Sequence, residues 1–161
     1  MAILKIVKFG DPLLRKVSRP IGEINERTQT LIDDMIETMR AEDGCGLAGV
    51  QVGVLRRLFV VEVEEGKVYT FINPEILAVS GEQDEPEGCL SNPGEYGMVR
   101  RPMFVTARAT DREGKEFTVE AEGLFARCIL HEYDHLEGRI YTDLQYRPAC
   151  EKDFRKKKQA D

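Results

Sequence analysis

The chain has 161 residues, 42% hydrophobic and 32% charged, with a formal net charge of -6. That length suits one domain spanning residues 1–161, and the balance excludes a disordered chain. The acidic sum argues against sequence-specific nucleic-acid binding or an anionic membrane as partner, and no apolar run is long enough to cross a bilayer.

The N-terminal stretch up to Lys16 is interrupted by Gly10, Asp11 and Pro12 and lacks the apolar core of a signal peptide. A cytoplasmic location is the expectation, so Cys45, Cys89, Cys128 and Cys150 read as thiols, ligands or core residues rather than disulfides. Asn25 to Arg40 carries Leu31, Ile32, Met35, Ile36 and Met39 on one helical stripe. Gly44, Gly46, Gly49 and Gly53 then break the pattern, as in a loop where backbone approaches something closely. Leu58–Val63 and Val68–Ile72 read as strands turning at 64–67, and Met103–Thr110 and Glu116–Ala121 as a hairpin with Gly114 in its turn.

From Glu122 to Leu136 the period is helical again, and Gly138 is the stop signal. Leu124, Cys128, His131 and His135 share one face of that helix. A charged helix from about Pro148 to Lys158 follows, with the run Arg155 to Lys158 as its solvated last turn. The expected fold is α+β, with short, mostly antiparallel strands packed around a central helix and a further C-terminal helix.

The chemistry centres on His131-Glu132-Tyr133-Asp134-His135. Two histidines four apart on a helix can share one metal, and the Glu after the first is aimed at the water such a metal activates. A catalytic site usually needs a third protein ligand. No histidine follows His135, and Glu137, Asp143, Glu151 and Asp153 stand in no supporting pattern. Upstream, Glu87-Gly88-Cys89-Leu90-Ser91 offers a thiolate, giving a Cys-His-His set with one open position.

Three segments together resemble the signature motifs of the peptide deformylase family. They are Gly44-Cys45-Gly46-Leu47-Ala48-Gly49-Val50-Gln51, then EGCLS at Glu87–Ser91, then HEYDH at His131–His135. The likeness extends to GDPLLRKVS near the N-terminus, Tyr96-Gly97, Arg101-Pro102 and Glu122-Gly123-Leu124. It implies that Cys89, His131 and His135 hold one divalent metal ion, ferrous iron in cells, with zinc, nickel or cobalt able to replace it. It makes Glu132 the general base and acid, and the Gln51 amide and the Leu90 N–H the donors to the reacting oxygen. It assigns Gly44, Cys45, Gly46, Gly88 and Tyr96 to substrate binding. The implied reaction frees N-formylmethionyl peptides and nascent chains of their formyl group, with transient ribosome contact. The chain departs from the commonest family pattern at Gly49-Val50, Asn92 and Leu130, none of which removes a ligand, the acid/base or an oxygen donor.

Three other readings share these residues: an amidase acting on another acyl group, a general HExxH endopeptidase, and a non-catalytic structural Cys-His-His site. The last would take Cys128 as fourth ligand, whereas as a single residue Cys128 reads as core. Cys150 stands in no motif.

Overall fold

A computed structural model describes residues 2–160, with side chains through residue 155. The lysine side chains of the C-terminal basic run lie outside the described residues. Helix α1 (Glu26–Ala41) starts where a capping box forms: the Asn25 side chain accepts from Thr28 N–H and Thr28 Oγ1 accepts from Asn25 N–H. Its expected stripe is its buried face, with Ile32, Met35 and Met39 fully enclosed.

Strands β1 (Gly46–Ala48), β2 (Leu58–Val61), β3 (Tyr69–Ser80), β6 (Phe104–Thr110) and β7 (Glu116–Glu122) form one antiparallel sheet in the order β1-β2-β3-β6-β7. In β2 the side chains alternate between two cores. Leu58 and Val60 pack with Ile32, Met35 and Met39 of α1, while Phe59 and Val61 face α2 (Gly123–Leu136) through Ala126 and Ile129. Helix α2 is therefore covered by the sheet on its apolar side and free to present its histidine side elsewhere. It ends where expected: Gly138 has φ 74°, and a Cβ there would lie 2.5 Å from the Arg15 carbonyl oxygen.

Strand β4 (Gln83–Cys89) and strand β5 (Asn92–Arg101) form a hairpin, joined by the two-residue strand β8 (Arg147–Pro148) in a second, smaller sheet. Helix α3 (Glu151–Ala160) closes the chain.

The structure corrects several boundaries. Gly44–Gly53 is not simply a loop, because Gly46–Ala48 pairs with β2 and Gly49–Val52 makes a 3-10 turn. Strand β3 runs past Ile72, since a bulge between Ile72 and Glu75 absorbs Pro74 where its missing N–H is not needed. There Asn73 takes φ 50° and its amide bonds both backbone groups of Ile21 at 2.8 Å. The C-terminal helix begins at Glu151 rather than Pro148, because Arg147 and Pro148 pair with Met98 and Gly97 of β5.

Candidate metal centre

Cys89 sits at the tip of the β4–β5 hairpin, where Leu90 and Ser91 turn the chain and the Ser91 carbonyl accepts from Phe9 N–H at 2.9 Å. His131 and His135 arrive from α2, one turn apart, with ring centroids 5.0 Å apart. Cys89 Sγ lies 3.3 Å from His135 Nε2, and one donor atom from each of Cys89, His131 and His135 falls within 4.8 Å of the others. Three donors around one zinc-sized ion stand roughly 3.4–3.6 Å apart, so a small contraction seats a cation here.

One further observation fits a cation. Glu132 Oε1 is buried without a hydrogen-bond partner among the described residues, while Glu132 Oε2 lies 4.0 Å from His131 Nε2, so an unpaired acceptor sits close to the ligand atoms.

The two imidazoles differ. His131 Nδ1 bonds Glu87 Oε2 at 2.7 Å, which leaves Nε2 for the cation and fixes the ring. Without a bound cation, burial works against a charge on His131. The Glu132 and Glu87 carboxylates outweigh it, so the group rises well above its ordinary range. His135 is pushed well below its ordinary range by burial and stays neutral. Burial also lifts Glu132 to about 8, so its carboxyl is poised to hold a proton near neutrality.

Glu87 is the centre of a buried charge network that sequence reading named only as the first letter of a motif. Arg101 donates to both its oxygens, Nε to Oε1 at 3.0 Å and Nη2 to Oε2 at 2.6 Å. Arg127 Nη1 adds a bond to Oε1 at 2.8 Å, and Arg101 Nη1 reaches Asp134 Oδ2 at 2.7 Å. Burial opposes the Glu87 charge, but His131 and Arg101 overcome it and hold the carboxyl well below the usual carboxylate range. Part of a signal was available, since Asp134 falls three residues after His131 on the same helix, but Arg101 follows the exposed Arg100 in β5 and nothing in the sequence tells the two apart.

A cavity of about 350 Å³ opens onto this centre, and every expected site residue except His135 lines it. Gln51 is buried, its Oε1 accepting from Ala48 N–H at 2.9 Å while Nε2 donates to Ser91 Oγ at 3.1 Å and faces Cys89 Sγ at 3.3 Å. Gly46 must be glycine for space: a Cβ would lie 2.6 Å from Glu132 Oε2 and 2.8 Å from Cys128 Sγ. Gly44 lies under the Leu90 side chain and Gly88 under the Tyr96 ring. Tyr96 is half exposed at the cavity edge, edge-on to Phe154 of α3.

Cys128 is buried as expected but outside the ligand cluster, its Sγ 3.1 Å from Cys45 Sγ. That contact draws the Cys45 thiol down to about 7 and pushes Cys128 well up. Of the departures from the family pattern, Asn92 donates to Tyr141 Oη at 3.0 Å, and a Cβ on Gly49 would meet Leu58 of β2 at 2.8 Å. Leu130 packs at the margin of the core.

Comparison with known proteins adds the family. A model described as polypeptide deformylase matches residues 3–149. A peptide deformylase of Clostridium botulinum (strain Alaska E43 / Type E3) is 54% identical over 143 residues, covering 89% of this chain and 97% of the relative. The crystal structure of peptide deformylase from Thermotoga maritima superposes with a TM-score of 0.86 at 38% identity, covering 89% of this chain and 97% of that one. That of the Ehrlichia chaffeensis protein in complex with actinonin does so at 0.87 and 36% identity, covering 100% and 99%.

Proposed function

The chain belongs to the polypeptide deformylase family, and we propose that it removes the formyl group from N-formylmethionine at the start of newly made polypeptides. The observation that carries this is the convergence of the Cys89 sulfur and two imidazoles beside a buried carboxyl with an unpaired oxygen, with Cys89, His131 and Glu132 lining one cavity.

Cys89, His131 and His135 would hold a divalent cation, which activates water at neutral pH and polarises the formyl oxygen. The mixed thiolate and imidazole donors suit ferrous iron, with zinc, nickel or cobalt able to take the same set. Glu132 takes the proton of the attacking water and returns it to the departing amine. The products are formate and a free N-terminus.

Charge develops on the formyl oxygen, where the Gln51 amide and the Leu90 N–H would donate. Gln51 is anchored through its Oε1 by the Ala48 N–H, so its Nε2 can turn from Ser91 to substrate without losing that anchor. The open cavity leads past Gly44, Cys45, Gly46, Gly88 and Tyr96, which would flank the methionine and the peptide behind it. Acting on newly made chains would fit a cytoplasmic location and transient contact with the ribosome.

Formate release from N-formyl-Met-Ala-Ser by the anaerobically iron-loaded protein tests this, beside Glu132→Gln prepared identically. Release by the wild type and its near loss in the variant, with cation still bound, is the expected result. A correctly loaded wild type that releases no formate overturns the reading in favour of an amidase for another acyl group.

A further inference from the structure

Two thiols on the cavity wall take no part in the cation cluster. Cys45 precedes β1, and Cys128 sits one turn ahead of His131 on α2, 83 residues away in the chain. Their Sγ atoms are 3.1 Å apart, about 1 Å longer than a disulfide bond. Both residues line the cavity, Cys45 part-buried and Cys128 buried.

We propose that Cys45 and Cys128 form a reversible dithiol–disulfide site, oxidised through the cavity by hydrogen peroxide. Two thiols in a closed core would be inert packing, whereas Cys45 is only part-buried on an open cavity and holds Cys128 in contact behind it. The room for closure exists, because Gly46 places no side chain between β1 and the Cys128 sulfur.

The more accessible Cys45 thiolate attacks one peroxide oxygen, and the O–O bond breaks to leave hydroxide and a Cys45 sulfenic acid. Cys128 passes its proton to that hydroxide, forming water. Its sulfur then attacks the Cys45 sulfur, the S–O bond breaks, and the leaving hydroxide takes up the proton released when Cys45 first ionised. Two thiols and one peroxide give one disulfide and two waters, and a dithiol reductant reverses the change by exchange.

The test uses the full chain loaded with zinc, which has no redox chemistry of its own, exposed to hydrogen peroxide and then alkylated. The expected result is an intact mass about 2 Da lower before alkylation, two fewer alkyl groups taken up than by untreated protein, a non-reduced digest in which the Cys45 and Cys128 peptides are joined, and reversal by dithiothreitol. Cys150→Ser should behave as wild type, while Cys45→Ser and Cys128→Ser should each lose the mass decrease. Oxygen addition alone in the wild type, or joined peptides containing Cys89 or Cys150 instead, overturns the proposal. The joined peptide is read in the wild type, so the outcome does not depend on how the variants fold.

Discussion

Replacing Glu87 with Gln should weaken both the fold and the metal site, and the size of the effect follows from its contacts. The carboxylate accepts four charge-assisted bonds, two from Arg101, one from Arg127 and one from His131. A Gln amide keeps one acceptor and turns an NH2 toward a pair of donors, whichever way it is flipped. These bonds share one acceptor group, so they do not add; the cost is that of breaking one buried ion pair, about 3–5 kcal/mol. For a chain of this length each kcal/mol moves the midpoint by about 2–4 °C, so a fall of roughly 6–20 °C is expected. Loss of the carboxylate behind His131 should also weaken metal binding by about 10–100-fold. Thermal unfolding of metal-free and zinc-loaded protein, with zinc affinity by competition against a chelator, reads both. A variant that keeps the wild-type midpoint and affinity would show that the network is not what holds His131.

Gln51→Leu should retain its metal yet lose about 10²–10³-fold in turnover, as expected of a missing oxyanion donor; a rise in KM alone would contradict that role. Gly46→Ala places a methyl where Glu132 Oε2 lies, and the displaced carboxyl should lower kcat by about 100-fold with metal content unchanged by elemental analysis. Metal-free protein should lose stability to urea as pH rises from about 6.5 to 8, whereas below that window His135, pushed well below its ordinary range, offsets Glu132. Glu132, lifted from 4.5 to about 8, binds more protons folded than unfolded across that window. His131, raised above 6.5, adds the same sign, because its contribution is full below that pH and is lost as pH rises through the folded value. Glu87, held below its ordinary 4.5, acts oppositely and costs stability only on further acidification. A metal-free urea midpoint that stays level or rises between about pH 6.5 and 8 would contradict this. Zinc loading should remove a proton from His131, seen as a binding heat that varies with the ionisation enthalpy of the buffer.

Periodicity made the helices legible. Met35 and Met39 in α1, and His131 and His135 in α2, lie where spacing alone puts them. The β6–β7 hairpin was equally plain, because Val105, Ala107 and Ala109 alternate with polar residues around a glycine turn. The β4–β5 hairpin was hidden by its composition: Glu85, Pro86, Gly88, Pro93 and Gly94 argue for loop. Those residues form strands because Gln83–Gly88 lies against Tyr96–Arg101 and Glu87 finds Arg101 across the ladder. Local propensity carries no trace of that pairing. Strand β3 outruns its expected end at Ile72 for a similar reason, since the bulge at Asn73-Pro74 is held by Ile21, more than fifty residues upstream. The candidate ligands were legible as residue types, but the pinning of His131 by Glu87 joins groups 44 positions apart and exists only once the chain is folded.

The split origin of the ligand set bears on when the protein matures. Cys89 belongs to the hairpin tip, and His131 and His135 to a helix made after most of the chain. No part of the chain synthesised before residue 135 contains the full donor set, and no unfolded chain presents it at one point. Metal acquisition at this set would therefore wait until α2 has been made and has docked against the hairpin tip, and a chain truncated before His135 would have only an incomplete set to offer.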